Sequence, residues 1–253
     1  MTSPESAVLE RRPYEGLASI YDFVMRHVDY PAWADYVASL LRRHECEPGR
    51  LLDLACGTGN ASFALAAAGY RLTGYDASEE MVRVAREKAS RQQRDLRFGV
   101  RDLRDLSGVG EHGAAVCLYD SLNYLLSLEE VGEALTQVHG VLPEGAVFIF
   151  DICTEQNSVR HFGDVRSSER GLGFSFRRHS HYASDERLQH NDFDISFEDG
   201  SRVRETHVQR IYECGELAAA VDASPFELVE LLDGFSLRPG SDLCDRVHFV
   251  LRR

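Results

Sequence analysis

The chain has 253 residues, 43% hydrophobic and 27% charged, which supplies a sizeable core and excludes a disordered or low-complexity protein. Forty-one acidic against 28 basic side chains leave a formal charge of -13, which opposes a phosphate backbone and makes long duplex nucleic acid an unsuitable partner. Six cysteines occur without a C-x-x-C pair, and no run approaches the ~20 apolar residues of a membrane span, so a reduced cytoplasmic protein, monomeric or homodimeric, is expected.

The segment to about Pro13 is polar and reads as frayed. Tyr14 to Tyr21 and Ala32 to His44 then carry apolar residues at three- and four-residue spacing, which predicts two helices. From Arg50 the pattern becomes short apolar runs that end in acidic or glycine-containing turns, each followed by a helical stretch, the alternation of a parallel α/β sheet. Strands are predicted at 50–54, 70–75, 96–100, 114–118 and 146–152, with helices at 60–68, 78–92 and 128–141. The basic run Arg83, Arg86, Lys88, Arg91 and Arg94 recurs at helical spacing and reads as a solvated face. Beyond Cys153 the period changes to two at 174–176, 188–197 and 201–212, with a hairpin turn at Glu198-Asp199-Gly200. A helix at 213–222 and strands at 226–232 and 246–252 close the chain. The expected organisation is a helical lid (1–45), a Rossmann-like core (46–152 and 213–253) whose seven-stranded, mostly parallel sheet has helices on both faces, and an inserted antiparallel cap (153–212).

Ligands of open parallel sheets bind at the carboxyl ends of the strands. Here those ends carry Asp53 to Gly59, Asp76, Asp102 and Tyr119 to Tyr124. Gly57 and Gly59 let the backbone turn sharply beside a ligand, and Asp76 can accept the hydroxyls of a ribose. Asp53, just before the loop, opposes a pyrophosphate but suits a cationic amino-acid moiety. The cofactor inferred is a nucleoside carrying an ammonium and a sulfonium.

On the residues Leu52-Asp53-Leu54-Ala55-Cys56-Gly57-Thr58-Gly59 the sequence resembles the class I S-adenosylmethionine-dependent methyltransferases. Ala18-Ser19-Ile20-Tyr21-Asp22, Asp120-Ser121-Leu122-Asn123-Tyr124 and Glu205-Thr206-His207-Val208-Gln209-Arg210 make it most similar, within that superfamily, to small bacterial YqeM-like methyltransferases. Less similar are sugar-amine N-methyltransferases and glycine N-methyltransferase. The resemblance implies that Ala55, Gly57 and Gly59 line the methionine part of the cofactor and Asp76 the ribose, with Ala77 and Met81 beside it. It also implies Asp102 and Leu103 at the adenine, Tyr14, Tyr21 and Trp33 on a lid, and Tyr119 and Asp120 closing the pocket.

Methyl transfer to nitrogen or oxygen needs alignment and an exit for a proton. His207 is the candidate base, Tyr124 and Asn123 orient the acceptor, and Arg210 pairs with an acidic substrate group. A strand histidine satisfied by its neighbours is the plainer alternative for His207. His179 and His181 share a strand face at a metal-compatible spacing, but no third ligand stands near them in the sequence, and no metal is expected. A small-molecule acceptor is the leading reading. The cluster Arg177, Arg178 and His179 keeps a small anionic or an RNA substrate possible, and an RNA or ribosome-associated target and a non-catalytic S-adenosylmethionine-binding module stand as alternatives.

Overall fold

Strand runs such as Leu51-Leu52 and Val147 to Cys153 are apolar on both faces, so each must lie inside a sheet covered on both sides. A computed structural model of the chain describes residues 8–46 and 49–253 and places them so. Strand β1 (Val8–Arg11) comes first, then a 3-10 turn (Leu17–Ser19), α1 (Tyr21–Val24) and α2 (Tyr30–Arg43). The core follows as β2 (Arg50–Leu54), α3 (Asn60–Ala67), β3 (Arg71–Asp76), α4 (Glu79–Arg91), β4 (Arg97–Val100), β5 (Ala114–Cys117), a second 3-10 turn (Ser121–Tyr124), α5 (Leu128–Gly140) and β6 (Val147–Cys153). Next come α6 (Glu155–Phe162), β7 (Asp164–Gly171), β8 (Phe174–Ala183), β9 (Leu188–Phe197) and β10 (Arg202–Arg210), and the chain returns through α7 (Cys214–Asp222), β11 (Glu227–Asp233) and β12 (Arg246–Arg252).

The main sheet has seven strands in the order β11-β12-β6-β5-β2-β3-β4. Only β12 runs against its neighbours, pairing antiparallel with β6 and β11. Buried clusters cover both faces: Leu52, Phe148, Phe150 and Phe249 pack toward α5 and α7, and Leu51, Val116 and Ile149 toward α2 and α3. The strand order reverses between β2 and β5, so the carboxyl ends of these strands open a crevice.

The second sheet has five strands, β1-β10-β9-β8-β7. Its edges depart from the sequence reading. Residues 8–11 do not fray but pair in parallel with β10, and residues 1–7, to which that reading also applied, lie outside the described set. Strand β7 carried no alternating signal because nearly all of it is exposed at an edge. The helix expected over Tyr14 to Tyr21 is replaced by a left-handed Tyr14 (φ 67°), the 3-10 turn and the single turn of α1. The cause is Glu205 of β10, whose carboxylate collects the amides of Tyr14, Gly16 and Leu17 and wraps the segment around itself. Leu17 and Ile20 then pack on Phe176, Phe193, Ile195 and Val203 of the second sheet. Among the described residues no helix is long and apolar enough to cross a membrane.

Candidate active site

A cavity of about 1260 Å³ lies between the carboxyl ends of the main sheet, the second sheet and the Tyr14–Tyr30 segment. The loop after β2 turns through Ala55 (φ 54°), Gly57 (φ 54°) and Gly59 (φ 84°). A Cβ on Gly59 would stand 2.9 Å from the Phe98 ring and in strained left-handed backbone, which favours glycine, and Gly59, expected at the methionine part, is not among the residues lining the cavity. Asp76 accepts the amide N–H of Gly57 (2.8 Å) and of Ser78 (2.8 Å), which fixes its carboxylate beside the loop. Burial raises its pKa. Asp53 is also buried, takes a hydrogen bond from the Ser62 hydroxyl, and is pushed up to about 7 by burial, with a further rise from nearby Asp76. Ala55, Gly57, Ala77, Met81, Asp102 and Leu103 line the same end of the cavity. Asp102 is clamped by Arg104 through two bonds of 2.8 Å, which hold its carboxyl below the usual range.

Two anchors hold the covering segment. Beside Glu205 there is Asp22, which accepts from the Thr58 hydroxyl (2.6 Å), the Asn60 amide (3.0 Å) and the Lys88 ammonium (2.8 Å). Lys88 is therefore not part of a solvated helix face, since it lies buried against Asp22 and Asn60 while its neighbour Arg83 pairs with Glu80 and Glu87 in solvent. Tyr21 meets Tyr14 edge to face at 5.8 Å.

At the opposite end Glu205, His207, Tyr124 and Tyr14 form one hydrogen-bonded chain: Glu205 Oε2 to His207 Nε2 3.1 Å, His207 Nδ1 to Tyr124 Oη 3.1 Å, Tyr124 Oη to Tyr14 Oη 2.6 Å. An ionised carboxylate only accepts, so Nε2 carries the hydrogen. In neutral imidazole Nδ1 then accepts from Tyr124, and Tyr124 accepts from Tyr14. His207, Tyr124 and Tyr14 all line the cavity. Desolvation raises both phenols above their usual range, and bonds from His207 and the amides hold Glu205 below its own.

Between the two ends, Tyr119 (φ 65°) and Asp120 (φ 51°) are consecutive left-handed residues. Such backbone costs about 1–3 kcal/mol per residue and persists where surroundings impose it. Here Asp151, fully buried on β6, accepts both amides (2.7 and 2.9 Å). Arg246 of β12 bonds Asp120 (2.7 Å) and Asp151, and the Gln209 amide donates to Asp120 at 2.7 Å. Arg246, Gln209 and Asp22 escape a local reading, because each gains its meaning from a partner far away in the sequence.

Besides Gly59, three expected site residues stand outside the cavity lining. Trp33 is buried behind the wall, stacked under the Arg246 guanidinium at 5.3 Å and beside Tyr119 at 5.4 Å, so it braces the pocket rather than closing it. Asn123 is fully buried and joins β6 to β10, donating to the Arg210 carbonyl (2.7 Å) and accepting from the Cys153 amide (3.2 Å), with no atom left for an acceptor molecule. Arg210 points to the other face of β10 and stacks on Tyr212 at 5.2 Å. A guanidinium that lines the cavity from the cap side is that of Arg178 on β8. Its Nε and Nη2 donate to Asn191 Oδ1 at 3.2 and 2.6 Å, and among the described residues no carboxylate pairs with it.

This strand order, with a glycine loop after β2 and an acidic residue ending β3, defines an S-adenosylmethionine-dependent methyltransferase of the Rossmann-like class. Residues 51–145 match the family described as a methyltransferase domain. YqeM of Bacillus subtilis (strain 168), named as a methyltransferase, is 33% identical over 95% of this chain and 97% of its own. The chain belongs to the YqeM-like methyltransferases. A crystal structure of an S-adenosylmethionine-dependent methyltransferase from Clostridium acetobutylicum shares the fold, with a TM-score of 0.80, 24% identity and coverage of 94% of this chain and 98% of that one. The dTDP-3-amino-3,6-dideoxy-alpha-D-glucopyranose N,N-dimethyltransferase of Streptomyces fradiae is 34% identical over 54% of this chain and 53% of its own.

Proposed function

We propose that the enzyme methylates a nitrogen or oxygen of a small anionic molecule held in this cavity, with His207 as the base and Arg178 as the anchor for the anionic group. The observation that carries the reading is the directed chain Tyr14 to Tyr124 to His207 to Glu205 on the cavity wall. S-adenosylmethionine, when bound, supplies a methyl group on a sulfonium. Ala55, Gly57, Asp76, Ala77, Met81, Asp102 and Leu103 would hold it, Asp53 and Asp120 would face its cationic part, and Tyr14, Tyr21 and Tyr119 would cover it. The fit rests on Asp53, a buried carboxyl that reaches the cavity wall and has no basic side chain paired with it among the described residues.

An acceptor amine or hydroxyl loses a proton as its lone pair forms the new bond. The lone pairs of Tyr14 and Tyr124 offer that proton an entry, each phenol passes its own hydrogen inward, and Nδ1 of His207 receives it. The resulting imidazolium faces the Glu205 carboxylate, whose charge stabilises it in a dry site. Arg178 would take a carboxylate or phosphate of the acceptor, because a half-buried guanidinium with no carboxylate paired to it among the described residues gains from an anion. The division of labour proposed is a covering segment (14–30), a cofactor core (49–152 and 213–253) on which α2 packs, and an acceptor cap (153–212) whose sheet β1 extends. The dTDP-linked amino sugar in the name of the Streptomyces fradiae relative combines an amine with an anionic diphosphate, the class of acceptor proposed.

The test is S-adenosylhomocysteine formation over a panel of amines and hydroxy compounds with and without a carboxylate or phosphate. Replacing His207 by Asn should lower kcat about 10²- to 10⁴-fold while leaving S-adenosylmethionine affinity in place. Replacing Arg178 by Met should raise KM for anionic acceptors about tenfold or more. Turnover unchanged in the His207 variant, or a preference for neutral acceptors in the parent, would sink the corresponding part of the proposal.

A further inference from the structure

The cap sheet has a second functional-looking face, turned away from the cavity. Alternation along β8 and β9 sends Arg178, Gln189, Asn191 and Phe193 to the cavity and leaves His179, His181, His190 and Asp192 on the outer side. The register sets His179 opposite Asp192 and His181 opposite His190. One ligating atom from each of His179, His181 and Asp192 lies within 4.8 Å of the other two. The third donor absent from the local sequence is thus supplied across the strand pair.

We infer that this face binds a divalent transition ion, zinc foremost, through His179, His181 and Asp192. Two imidazoles and one carboxylate form a borderline donor set that suits zinc, and ligands at about 2.0–2.1 Å from a tetrahedral ion stand about 3.4 Å apart, so small side-chain rotations close the site. Supporting contacts of the kind that metal sites use are in place. His179 Nε2 lies 2.7 Å from Asp164 Oδ1, a carboxylate–imidazole pair that orients the ring and leaves its other nitrogen free. The Thr206 hydroxyl donates to Asp192 Oδ1 at 2.7 Å and fixes that carboxylate. His181 Nδ1 is buried and has no hydrogen-bond partner among the described residues. His190 stacks flat on His181 at 4.6 Å and backs that ring, while the fourth position is left to water. Of the cations on this face, Arg177 and Arg204 both pair with Asp194, and Arg166 stands across from His179 on β7 beside Asp164. Asp164, His179, Asp192 and Thr206 lie on β7, β8, β9 and β10, so an ion here would pin four strands of the cap and stiffen it from outside, independently of methyl transfer.

The experiment uses the full, untagged chain stripped with a chelator, titrated with zinc chloride by calorimetry and with cobalt chloride by visible absorption. One ion per chain, the d–d bands of a tetrahedral cobalt site without thiolate charge-transfer, and a metal-dependent rise in Tm are expected. His181→Ala and, separately, Asp192→Ala should each weaken zinc binding at least about tenfold, while both keep the metal-free Tm and S-adenosylmethionine affinity of the parent. No saturable binding at about 100 μM zinc, affinity unmoved by both substitutions, or a thiolate signature from the cysteines would overturn the assignment.

Discussion

Asp53 is a carboxyl that titrates near neutrality because the fold buries it. Its pKa of about 7 against an ordinary 3.8 means that the folded protein holds this proton more tightly than the unfolded chain. Asp53 therefore contributes stability that is fully present below about pH 3.8 and is lost as the pH rises through 7. A cation placed against it reverses the preference and favours the carboxylate. Binding of S-adenosylmethionine at pH 7 should accordingly release about half a proton from this group, and close to none at pH 9, where Asp53 is already ionised. Calorimetry in two buffers of different ionisation enthalpy counts those protons. Asp53→Asn should abolish the release, and S-adenosylhomocysteine, which lacks the sulfonium, should produce less of it. Equal proton release from parent and variant would show that Asp53 does not face the cationic part of the cofactor.

At the scale of the element, β10 explains both what could be read in the sequence and what could not. Strands β2, β5 and β6 announced themselves because their apolar runs need cover on both faces, and the acidic residues at strand ends stood out against them. The alternation of β10 was equally legible, and it put Glu205, His207 and Gln209 on one side. Which side faced inward was not legible, because Arg202, Arg204, Thr206 and Arg210 make the other side just as polar, and Arg210 accordingly read as a substrate contact. Only the partners decide it: Asp120 for Gln209, Tyr124 for His207, and the distant amides of Tyr14, Gly16 and Leu17 for Glu205. Glu205→Gln tests that anchorage. One carboxylate oxygen becomes an amide nitrogen that cannot accept, so at least one charge-assisted bond is lost, and urea unfolding at pH 7 should show a loss of about 2–3 kcal/mol. The folded pKa of Glu205 lies below its ordinary 4.5, so the stability it gives is present above pH 4.5 and disappears as the pH falls through the folded value. The gap between parent and variant should therefore close on acidification, and a gap that stayed constant to pH 3 would mean that shape rather than charge holds the segment.

For the molecule as a whole, the cavity has three walls that belong to different parts of the chain, and the segment from Tyr14 to Tyr30 touches the other two. Asp22 ties it to the glycine-loop side through Thr58, Asn60 and Lys88, and Glu205 ties it to the cap. Tyr14 and Tyr21 line the cavity between those ties, so release of either tie would widen the way in for the cofactor. The Asp22 side is the weaker, because Asp22 is about half exposed and its ion pair with Lys88 is partly screened, whereas Glu205 is fully buried. We therefore expect the segment to swing about its attachment to β10 and to detach from the core. Hydrogen exchange should show S-adenosylmethionine protecting residues 14–24 together with 55–60, as one opening unit. Asp22→Asn should speed exchange in 14–24 without cofactor and raise the cofactor dissociation rate severalfold, while exchange in β9 and β10 stays near that of the parent. Protection confined to 55–60, with 14–24 indifferent to cofactor and to Asp22, would instead make this segment a fixed wall and place the entrance on the cap side of the cavity.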